Sequence, residues 1–292
     1  MSSKQTCLVV GAGGFLGSHV CRALRDSTQL IAASSNRSLA KKMGWVHLDV
    51  TIPHSLDNLP KRVDAIIYLS QSPHYKDFPA NAAHIWEVNV QGLLRILEYA
   101  RGAEATKVVL ASSGSVYAAS EKDLREDAPL APGGSGNLYV CSKIAAELLI
   151  GAYSTLFSTV CLRLFTLYGP GLRQNMLMAR MLHCIREGLP VTLQGEDGFV
   201  FNPLYVEDAV KAIECSLHLE GNHTVNVAGP EAHTLGNVCR RMGALLGRKP
   251  NFVFEKGCAP RIVADVGAMN RLFKIYGTTL EQGLEIFVRA QE

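Results

Sequence analysis

A short apolar run followed at once by evenly spaced glycines constrains the fold of this chain more than any other feature. Cys7–Val10 is apolar, and Gly11, Gly14 and Gly17 lead from it into a segment with helical spacing. In a strand, turn and helix of this kind, the first glycine permits the tight turn, the second lets a pyrophosphate approach the backbone, and the third lets the helix pack on the strand. The helix N-terminus then attracts the phosphates. The pattern predicts a dinucleotide-binding turn in an α/β protein.

Composition narrows the class of protein further. The chain has 292 residues, of which 48% are hydrophobic and 19% charged, enough for one large α/β domain or a domain with a smaller appendage. A net charge of +3 without a long Lys/Arg run argues against a nucleic-acid or membrane surface. The eight cysteines form no C-x-x-C motif and indicate free thiols in a reducing compartment. With no signal-like or membrane-spanning segment, we expect a cytoplasmic protein.

The end of the second predicted strand, Gln29–Ala33, bears on the choice of cofactor. An NAD-selective site usually has an acidic residue there, which binds the adenosine ribose. Ser34, Asn36 and Arg37 follow instead, and these donors suit a 2′-phosphate. The segment therefore favours NADP(H) slightly over NAD, with Arg37 as a solvated loop residue given nearly equal weight.

Three more strands are predicted before residue 112, and ligands in open parallel sheets bind at the carboxyl ends of strands. Trp45–Leu48 ends at Asp49 and Val50, which are placed to hold an adenine. Val63–Leu69 and Lys107–Ala111 follow, and the first opens onto Ser70, Gln71 and Ser72 while the second opens onto Ser112 and Ser113. A long helix, Ala80–Arg101, is predicted between them.

Tyr139 and Lys143 lie four residues apart at the start of a predicted helix, so they share one face. A cation near a phenol favours the phenolate, and such a tyrosine can exchange a proton with a substrate hydroxyl or carbonyl. This spacing alone is common on helix surfaces. The serines that end the preceding strand supply hydroxyls that complete a proton-handling trio.

Further motifs continue along the chain: Asn89, Val116-Tyr117, Arg163, Tyr168-Gly169-Pro170-Gly171, Asn202-Pro203-Leu204-Tyr205-Val206-Glu207-Asp208 and Asn226-Val227-Ala228-Gly229. In order and spacing, the whole set resembles the extended short-chain dehydrogenase/reductase family, in particular its NAD-dependent epimerase/dehydratase group, which acts largely on nucleotide sugars. The resemblance implies a Rossmann doubly wound parallel sheet with a smaller, discontinuous substrate-binding α/β region. It places the NAD(P)-binding domain at 1–168 and 199–229, and the substrate-binding region at 169–198 and 230–292.

The resemblance also implies roles for single residues. Tyr139 would be the general acid/base, Lys143 would lower its pKa and hold the nicotinamide ribose, and Ser113 would hydrogen-bond the reacting oxygen. The expected cofactor-binding residues are Gly11, Gly14, Phe15, Leu16, Gly17, Ser34, Asn36, Arg37, Asp49, Val50, Leu69, Ser70, Gln71, Asn89, Tyr139, Lys143 and Phe165. The expected substrate-binding residues are Ser72, Ser113, Ser115, Thr166, Arg173 and Asn202. No metal is expected.

The chain departs from the family pattern in its second half. Thr166 stands where many sugar-nucleotide epimerases have Asn, and Phe201-Asn202 stands where many have an Arg-Asp pair that contacts the diphosphate. Arg173, Lys256 and Arg261 are possible replacements for the lost guanidinium. Before Tyr139, the glycine-rich stretch 133–136 is either a mobile lid or slack in the chain.

The resemblance favours an enzyme that transfers hydride at a sugar carbon, with epimerisation at C4 of a nucleotide sugar as the first hypothesis. An NADPH-dependent keto-sugar reductase and a non-catalytic dinucleotide-binding sensor remain alternatives. A dehydratase is disfavoured, since Gly114-Ser115 follows Ser113 where such enzymes have an Asp-Glu pair. A homodimer built from the helices around 80–101 and 139–157 is expected from family habit.

Overall fold

The computed structural model describes residues 4–131 and 137–291. Its strands are β1 (Thr6–Val10), β2 (Gln29–Ser34), β3 (Val46–His47), β4 (Ala65–Tyr68), β5 (Lys107–Ser113), β6 (Ser158–Leu164), β7 (Leu167–Tyr168), β8 (Pro190–Gln194), β9 (Val200–Phe201), β10 (Leu204–Tyr205), β11 (His223–Val227), β12 (His233–Thr234), β13 (Asn251–Glu255) and β14 (Arg261–Ile262). Its helices are α1 (Phe15–Leu24), α2 (Arg37–Met43), α3 (Ala82–Trp86), α4 (Gly92–Gly102), α5 (Leu138–Ala152), α6 (Leu177–Glu187), α7 (Val206–His218), α8 (Leu235–Leu246), α9 (Gly267–Phe273) and α10 (Leu280–Arg289).

Seven strands form the main sheet, in the order β11-β6-β5-β4-β1-β2-β3. Strand β1 pairs in parallel with β2 on one side and with β4 on the other. The chain therefore builds the sheet from β1 through β2 to β3 on one side. It then returns to the other side of β1 and continues through β4, β5, β6 and β11. The carboxyl ends of β1 and β4 form the point of reversal, where open α/β sheets bind ligands. The predicted doubly wound parallel α/β fold is confirmed.

The core of this sheet follows from its sequence. Cys7–Val10 and Ala65–Tyr68 are almost entirely buried. Continuous apolar strands of this kind are expected where helices cover both faces of a parallel sheet. On α4, Leu93, Ile96 and Leu97 repeat at helical spacing and are fully buried. The sheet thus rests on the apolar runs that were recognisable in the sequence.

The chain divides into two compact units. The first comprises Met1–Val116, Leu130–Arg163 and Ile213–Val225. The second comprises Tyr117–Pro129, Leu164–Ala212 and Asn226–Glu292, and it contains small sheets formed by β10-β7, β12-β9-β14 and β13-β8. The functional division into 1–168 with 199–229 and 169–198 with 230–292 stays a prediction.

The long helix predicted for Ala80–Arg101 is interrupted. A π-helical segment, Glu87–Gln91, separates α3 from α4. The Tyr68 hydroxyl donates a 2.6 Å hydrogen bond to the carbonyl oxygen of Val88 within this segment. A Cβ on the next residue, Gly92, would lie 2.6 Å from a Val50 methyl carbon. The interruption therefore lies where the helix meets the side chains of β4 and of the turn after β3, a tertiary contact that periodicity does not reveal.

Helix α2 was also absent from the sequence prediction, which placed a loop after the second strand. The Asn36 side chain caps it, since its Oδ1 accepts a 2.9 Å hydrogen bond from Leu39 N. Gly44 ends it with a φ of 68°. The helix is only seven residues long, too short for its period to stand out.

Candidate active site

The glycine turn has two packed positions and one open position. Gly11 has a φ of 95°, and a Cβ there would lie 2.9 Å from Ser70 N. A Cβ on Gly17 would lie 2.2 Å from the carbonyl oxygen of Gly11. Among the described residues, a Cβ on Gly14 would meet only that same oxygen, at 3.2 Å. Gly11 and Gly17 are therefore required by packing, whereas Gly14 leaves its backbone accessible.

The first turn of α1 adds a positive electrostatic contribution next to the glycine turn. In the part of the chain that the structure describes, no side chain caps this turn, and the turn contains no acidic residue. The N–H groups of Phe15, Leu16 and Gly17 belong to the helix start, which has no intrahelical acceptors and carries a partial positive charge. The open backbone and the uncapped helix fit the diphosphate of a dinucleotide.

The residues predicted to select the cofactor lie at the end of β2. Ser34 is buried, and its Oγ accepts a 3.2 Å hydrogen bond from Asn36 N. Asn36 caps α2, while Arg37 is exposed at the first position of that helix. Part of the hydrogen-bonding capacity that suggested a 2′-phosphate is thus used to hold the end of β2 against α2. A cofactor contact here stays a prediction.

The predicted adenine site is held by internal hydrogen bonds. Asp49 Oδ1 accepts from Thr51 N at 3.0 Å and from the Thr51 hydroxyl at 2.7 Å. Val50 is buried, and its carbonyl oxygen accepts a 2.8 Å hydrogen bond from Arg95 Nη1. Both residues therefore have fixed positions, and their contact with an adenine stays a prediction.

The segment after β4 begins with candidate cofactor residues and ends in a buried cluster. Leu69 and Ser70 are half-buried and Gln71 is exposed. Ser72 is fully buried, with its Oγ 2.8 Å from His84 Nδ1. The Ser72 hydroxyl therefore fixes the segment against α3, and a contact of Ser72 with a substrate stays a prediction.

Asn89 links that segment to α5. Its Oδ1 accepts a 3.0 Å hydrogen bond from Ser72 N, and its Nδ2 donates a 2.9 Å hydrogen bond to Ser142 Oγ. Asn89 is 2% exposed. Its amide therefore joins two parts of the site from within the protein, and a direct contact with the cofactor stays a prediction. Ser142, which lies between Tyr139 and Lys143 in sequence, was not predicted to take part.

The predicted proton-handling trio does come together. The hydroxyls of Ser113 and Ser115 lie 2.9 Å apart, and both side chains hydrogen-bond Tyr139. Lys143 Nζ lies 5.9 Å from the centroid of the Tyr139 ring and donates a 2.9 Å hydrogen bond to the carbonyl oxygen of Ala111. The end of β5 and the first turns of α5 thus place a phenol, two hydroxyls and an ammonium group in one site.

The charge states of this trio differ from the prediction. Burial raises the pKa of Tyr139 to about 12, against the lowering effect of its hydrogen bond with Ser113, and the nearby Tyr75 phenol raises it further. Burial lowers the pKa of Lys143 to about 8. The pKa of Tyr139 is thus raised where a lowering was predicted, because loss of hydration is the largest effect on it. The influence of Lys143 on that pKa stays a prediction. At neutral pH, Tyr139 holds its proton.

A buried ion pair behind the trio was missed as a candidate. Glu147 and Arg163 are joined at 2.7 Å, with side chains 9% and 7% exposed. The Ser112 hydroxyl donates a hydrogen bond to the Glu147 carboxylate. Glu147 continues the four-residue spacing of Tyr139 and Lys143. That spacing was the available signal, since it puts Glu147 on the same face of α5.

The second unit holds the remaining candidates. Asn202 is 2% exposed, and its side chain hydrogen-bonds the carbonyl oxygens of Gly229 and Ala264 and the N–H of Ala264, each at 3.1 Å. Through these bonds Asn202 holds the backbone of its own unit, and its contact with a substrate stays a prediction. Phe165 is buried beside Tyr117, at 6.3 Å between ring centroids.

The other predicted substrate residues of this unit have different exposures. Thr166 is half-buried and Arg173 is exposed. Of the proposed basic replacements, Lys256 is exposed, whereas Arg261 is paired with Asp123 at 2.5 Å. Their contacts with a substrate stay predictions.

Three further predictions concern a lid, a metal ion and a membrane-spanning helix. The stretch 133–136, predicted as a lid or slack, lies outside the described residues. Within 4–131 and 137–291, no group of three or more His, Cys, Asp or Glu side chains could hold a metal ion. A search of the same ranges for a helix that is long and apolar enough to cross a membrane found none.

Comparison with known proteins identifies the family. The model of the NAD dependent epimerase/dehydratase family matches residues 7–228. This chain belongs to that family. It is 28% identical over 303 residues to an uncharacterized UDP-glucose epimerase of Bacillus subtilis, covering 95% of both chains. It is 25% identical over 307 residues to the UDP-glucuronate 4-epimerase of Thermodesulfobacterium geofontis, covering 95% of this chain and 93% of the other.

Solved structures share the fold of this family member. The structure of MoeE5 in complex with UDP-glucose and NAD has a TM-score of 0.85 and 25% identity, covering 98% of each chain. The UDP-glucuronic acid 4-epimerase of Bacillus cereus, in complex with UDP-glucuronic acid and NAD, has a TM-score of 0.83 and 21% identity, covering 97% of this chain and 98% of the other. At that identity, the second likeness concerns the fold alone.

Proposed function

We propose that this protein is an NAD-dependent nucleotide-sugar 4-epimerase in which Tyr139 is the general acid/base. The observation that carries the proposal is the meeting of Tyr139, Ser113 and Lys143 at the end of β5, which lies beside β4 and the chain reversal where open α/β sheets bind ligands. The relatives that carry 4-epimerase names add support. UDP-glucose and UDP-glucuronic acid are the first substrates to test.

The turn formed by Gly11, Gly14 and Gly17 would hold NAD, and NAD would supply reversible hydride transfer at the sugar carbon. Ser113 holds the reacting sugar oxygen by a hydrogen bond. Tyr139 exchanges the proton of that oxygen. Because burial keeps its pKa at about 12, the phenol is ready to donate a proton to the keto oxygen.

Proton removal from the sugar hydroxyl needs the phenolate. Lys143 supplies a positive charge near the Tyr139 ring for this step. Its own pKa of about 8 means that the ammonium form is favoured below that pH and lost above it. The reaction is therefore expected to slow as pH rises above about 8.

The choice of cofactor separates the epimerase from the leading alternative, a reductase. Support for NAD comes from MoeE5, which was solved with NAD. An NADPH-dependent keto-sugar reductase is favoured instead by the end of β2, where Ser34, Asn36 and Arg37 replace the acidic residue of NAD-selective sites. An epimerase retains its cofactor through many turnovers, whereas a reductase must exchange it.

The test combines the cofactor with the tyrosine. The purified protein is expected to contain NAD and to interconvert a UDP-sugar with its C4 epimer, followed by NMR of the sugar. Tyr139→Phe is expected to retain NAD and to lose roughly 10²–10⁴-fold in kcat. Tyr276→Phe is the matched control, because Tyr276 is 71% exposed and lies in the second unit.

Two outcomes would overturn the proposal. If Tyr139→Phe turned over as fast as the wild type, Tyr139 would not be the acid/base. If the protein consumed NADPH with a keto-sugar and left UDP-sugars unchanged, the reductase would replace the epimerase.

A further inference from the structure

Three consecutive residues at the end of β5 are tied to three consecutive turns of α5. Ser113 hydrogen-bonds Tyr139 on the first turn. The carbonyl oxygen of Ala111 accepts from Lys143 Nζ on the second turn at 2.9 Å. Ser112 donates to Glu147 on the third turn. The catalytic phenol and ammonium are thus the first two of a row of three contacts, and Glu147 makes the third.

The third contact is anchored from another strand. Arg163, on β6, approaches both oxygens of Glu147 with its Nε, at 3.1 and 3.2 Å, and one oxygen with its Nη2, at 2.7 Å. Taking both charges out of water carries a large desolvation cost. Buried ion pairs can often be replaced by apolar side chains without loss of stability, so stability alone is a weak explanation for this one.

The charge of Glu147 also reaches Lys143. Two titratable groups act on Lys143, Cys161 of β6 and Glu147 of its own helix. Burial raises the pKa of Cys161 well above its usual value, so its thiol is neutral where Lys143 titrates, and Glu147 supplies the negative charge that favours the ammonium form. Tyr139 faces it from the same helix and Arg163 holds its neighbour Glu147, while β5 contributes the neutral carbonyl of Ala111. A change at Glu147 or at Arg163 therefore alters the field at Lys143 in opposite directions.

We propose that Glu147 is a positioning residue for the reaction: through Ser112 and Arg163 it holds the end of β5 against α5, next to Tyr139 and Lys143. The inference rests on the proposed function for its effect on turnover. Its effect on Lys143 can be measured without any substrate.

The direct test is the titration of Lys143 by NMR with ¹³C-labelled lysine, assigned with Lys143→Met. Glu147→Gln keeps the shape of the side chain and removes its charge, so the Lys143 titration is expected about 1 pH unit lower. Arg163→Gln leaves Glu147 without its partner, so the titration is expected to move higher. The double variant, in which neither charge remains, is expected between the two.

Turnover gives the second readout. With its titration moved from about 8 to about 7, Lys143 would be charged in about half of the wild-type molecules and a tenth of the variant molecules at pH 8, and in nearly all molecules of both at pH 6. Glu147→Gln is therefore expected to lose about fivefold more kcat at pH 8 than at pH 6, with KM unchanged. A merely structural role would lower activity equally at both pH values.

Glu98→Gln is the matched control, because it removes the carboxylate of an exposed Glu–Arg pair, 2.8 Å from Arg101, in the same unit. It is expected to leave the Lys143 titration and kcat unchanged. The inference is overturned if Glu147→Gln and Arg163→Gln leave Lys143 unmoved or move it in the same direction. Should Glu147→Gln fail to fold, an unmoved or lowered Lys143 titration in Arg163→Gln would overturn the inference. Opposite shifts without any epimerisation would contradict the proposed function and leave the charge coupling standing.

Discussion

Replacing Gly17 with alanine tests whether the glycine turn is required by packing. The added Cβ would lie 2.2 Å from the carbonyl oxygen of Gly11 and 2.9 Å from Ala12 Cα, both of them backbone atoms that cannot rotate away. Relief requires the start of α1 and the end of β1 to move apart by roughly 1 Å, since ordinary contacts begin near 3.4 Å.

The two energetic effects of this change oppose each other. Alanine in a helix gains about 1 kcal/mol over glycine, whereas overpacking typically costs about 1–3 kcal/mol and occasionally more. With this severe backbone overlap we take the upper part of that range, so Gly17→Ala is expected to lower the free energy of unfolding by about 1–2 kcal/mol. The same displacement moves the first N–H groups of α1, so NAD affinity is expected to fall as well.

Gly151→Ala is the matched control. Gly151 lies in the last turn of α5, is exposed, and has no described atom within 4 Å of its added Cβ outside its chain neighbours and its own helix. Helix propensity acts there alone and predicts a gain of about 0.5–1 kcal/mol. Urea unfolding followed by circular dichroism measures both changes, and fluorescence titration measures NAD binding. Changes of the same sign in the two variants would refute the packing argument.

Two more predictions concern buried polar groups. The first compares the wild type with Lys143→Met. Folding lowers the pKa of Lys143 from 10.5 to about 8, so between these pH values the unfolded chain binds one proton more than the folded protein. The wild type therefore gains unfolding free energy as pH rises through that range. Relative to Lys143→Met, the wild type should gain roughly 3 kcal/mol of unfolding free energy between pH 7 and 10.5. If the difference in unfolding free energy between the two proteins did not depend on pH, Lys143 would not be a buried, titrating lysine. Asn202→Leu should lose about 2–4 kcal/mol of unfolding free energy, measured in urea at pH 7, because three backbone groups lose their hydrogen-bond partner. A variant as stable as the wild type would contradict this structural role of Asn202.

The sheet and the trio could be predicted because both depend on local patterns in the sequence. Apolar strands such as Cys7–Val10, the spacing of Gly11, Gly14 and Gly17, and the i, i+4 pair of Tyr139 and Lys143 depend on periodicity alone. Residues at the carboxyl ends of parallel strands meet at one edge. That rule placed the serine hydroxyls at the end of β5 near the site, whereas the choice of Ser113 as the partner of Tyr139 came from the resemblance to the family.

Burial of polar side chains could not be predicted in the same way. Ser72 and Asn202 were expected to face a substrate, yet each completes hydrogen bonds to distant parts of the chain. The sequence does not distinguish a polar residue that faces a ligand near a strand end from one that hydrogen-bonds a buried backbone group there. The pKa of Tyr139 was predicted in the wrong direction for a related reason, because sequence shows a neighbouring charge and does not show loss of hydration.

Burial affects both the charge of Lys143 and the strength of its interaction with Tyr139. Lys143 would titrate normally if water reached it, but water would then screen its charge from Tyr139. Burial strengthens that interaction and at the same time disfavours the ammonium form. Ala111 and Glu147 offset part of this cost, one with a carbonyl dipole and the other with a charge. If Glu147 acts on Lys143 as we propose, Arg163 opposes part of the Glu147 charge, and the pKa of Lys143 of about 8 reflects this balance.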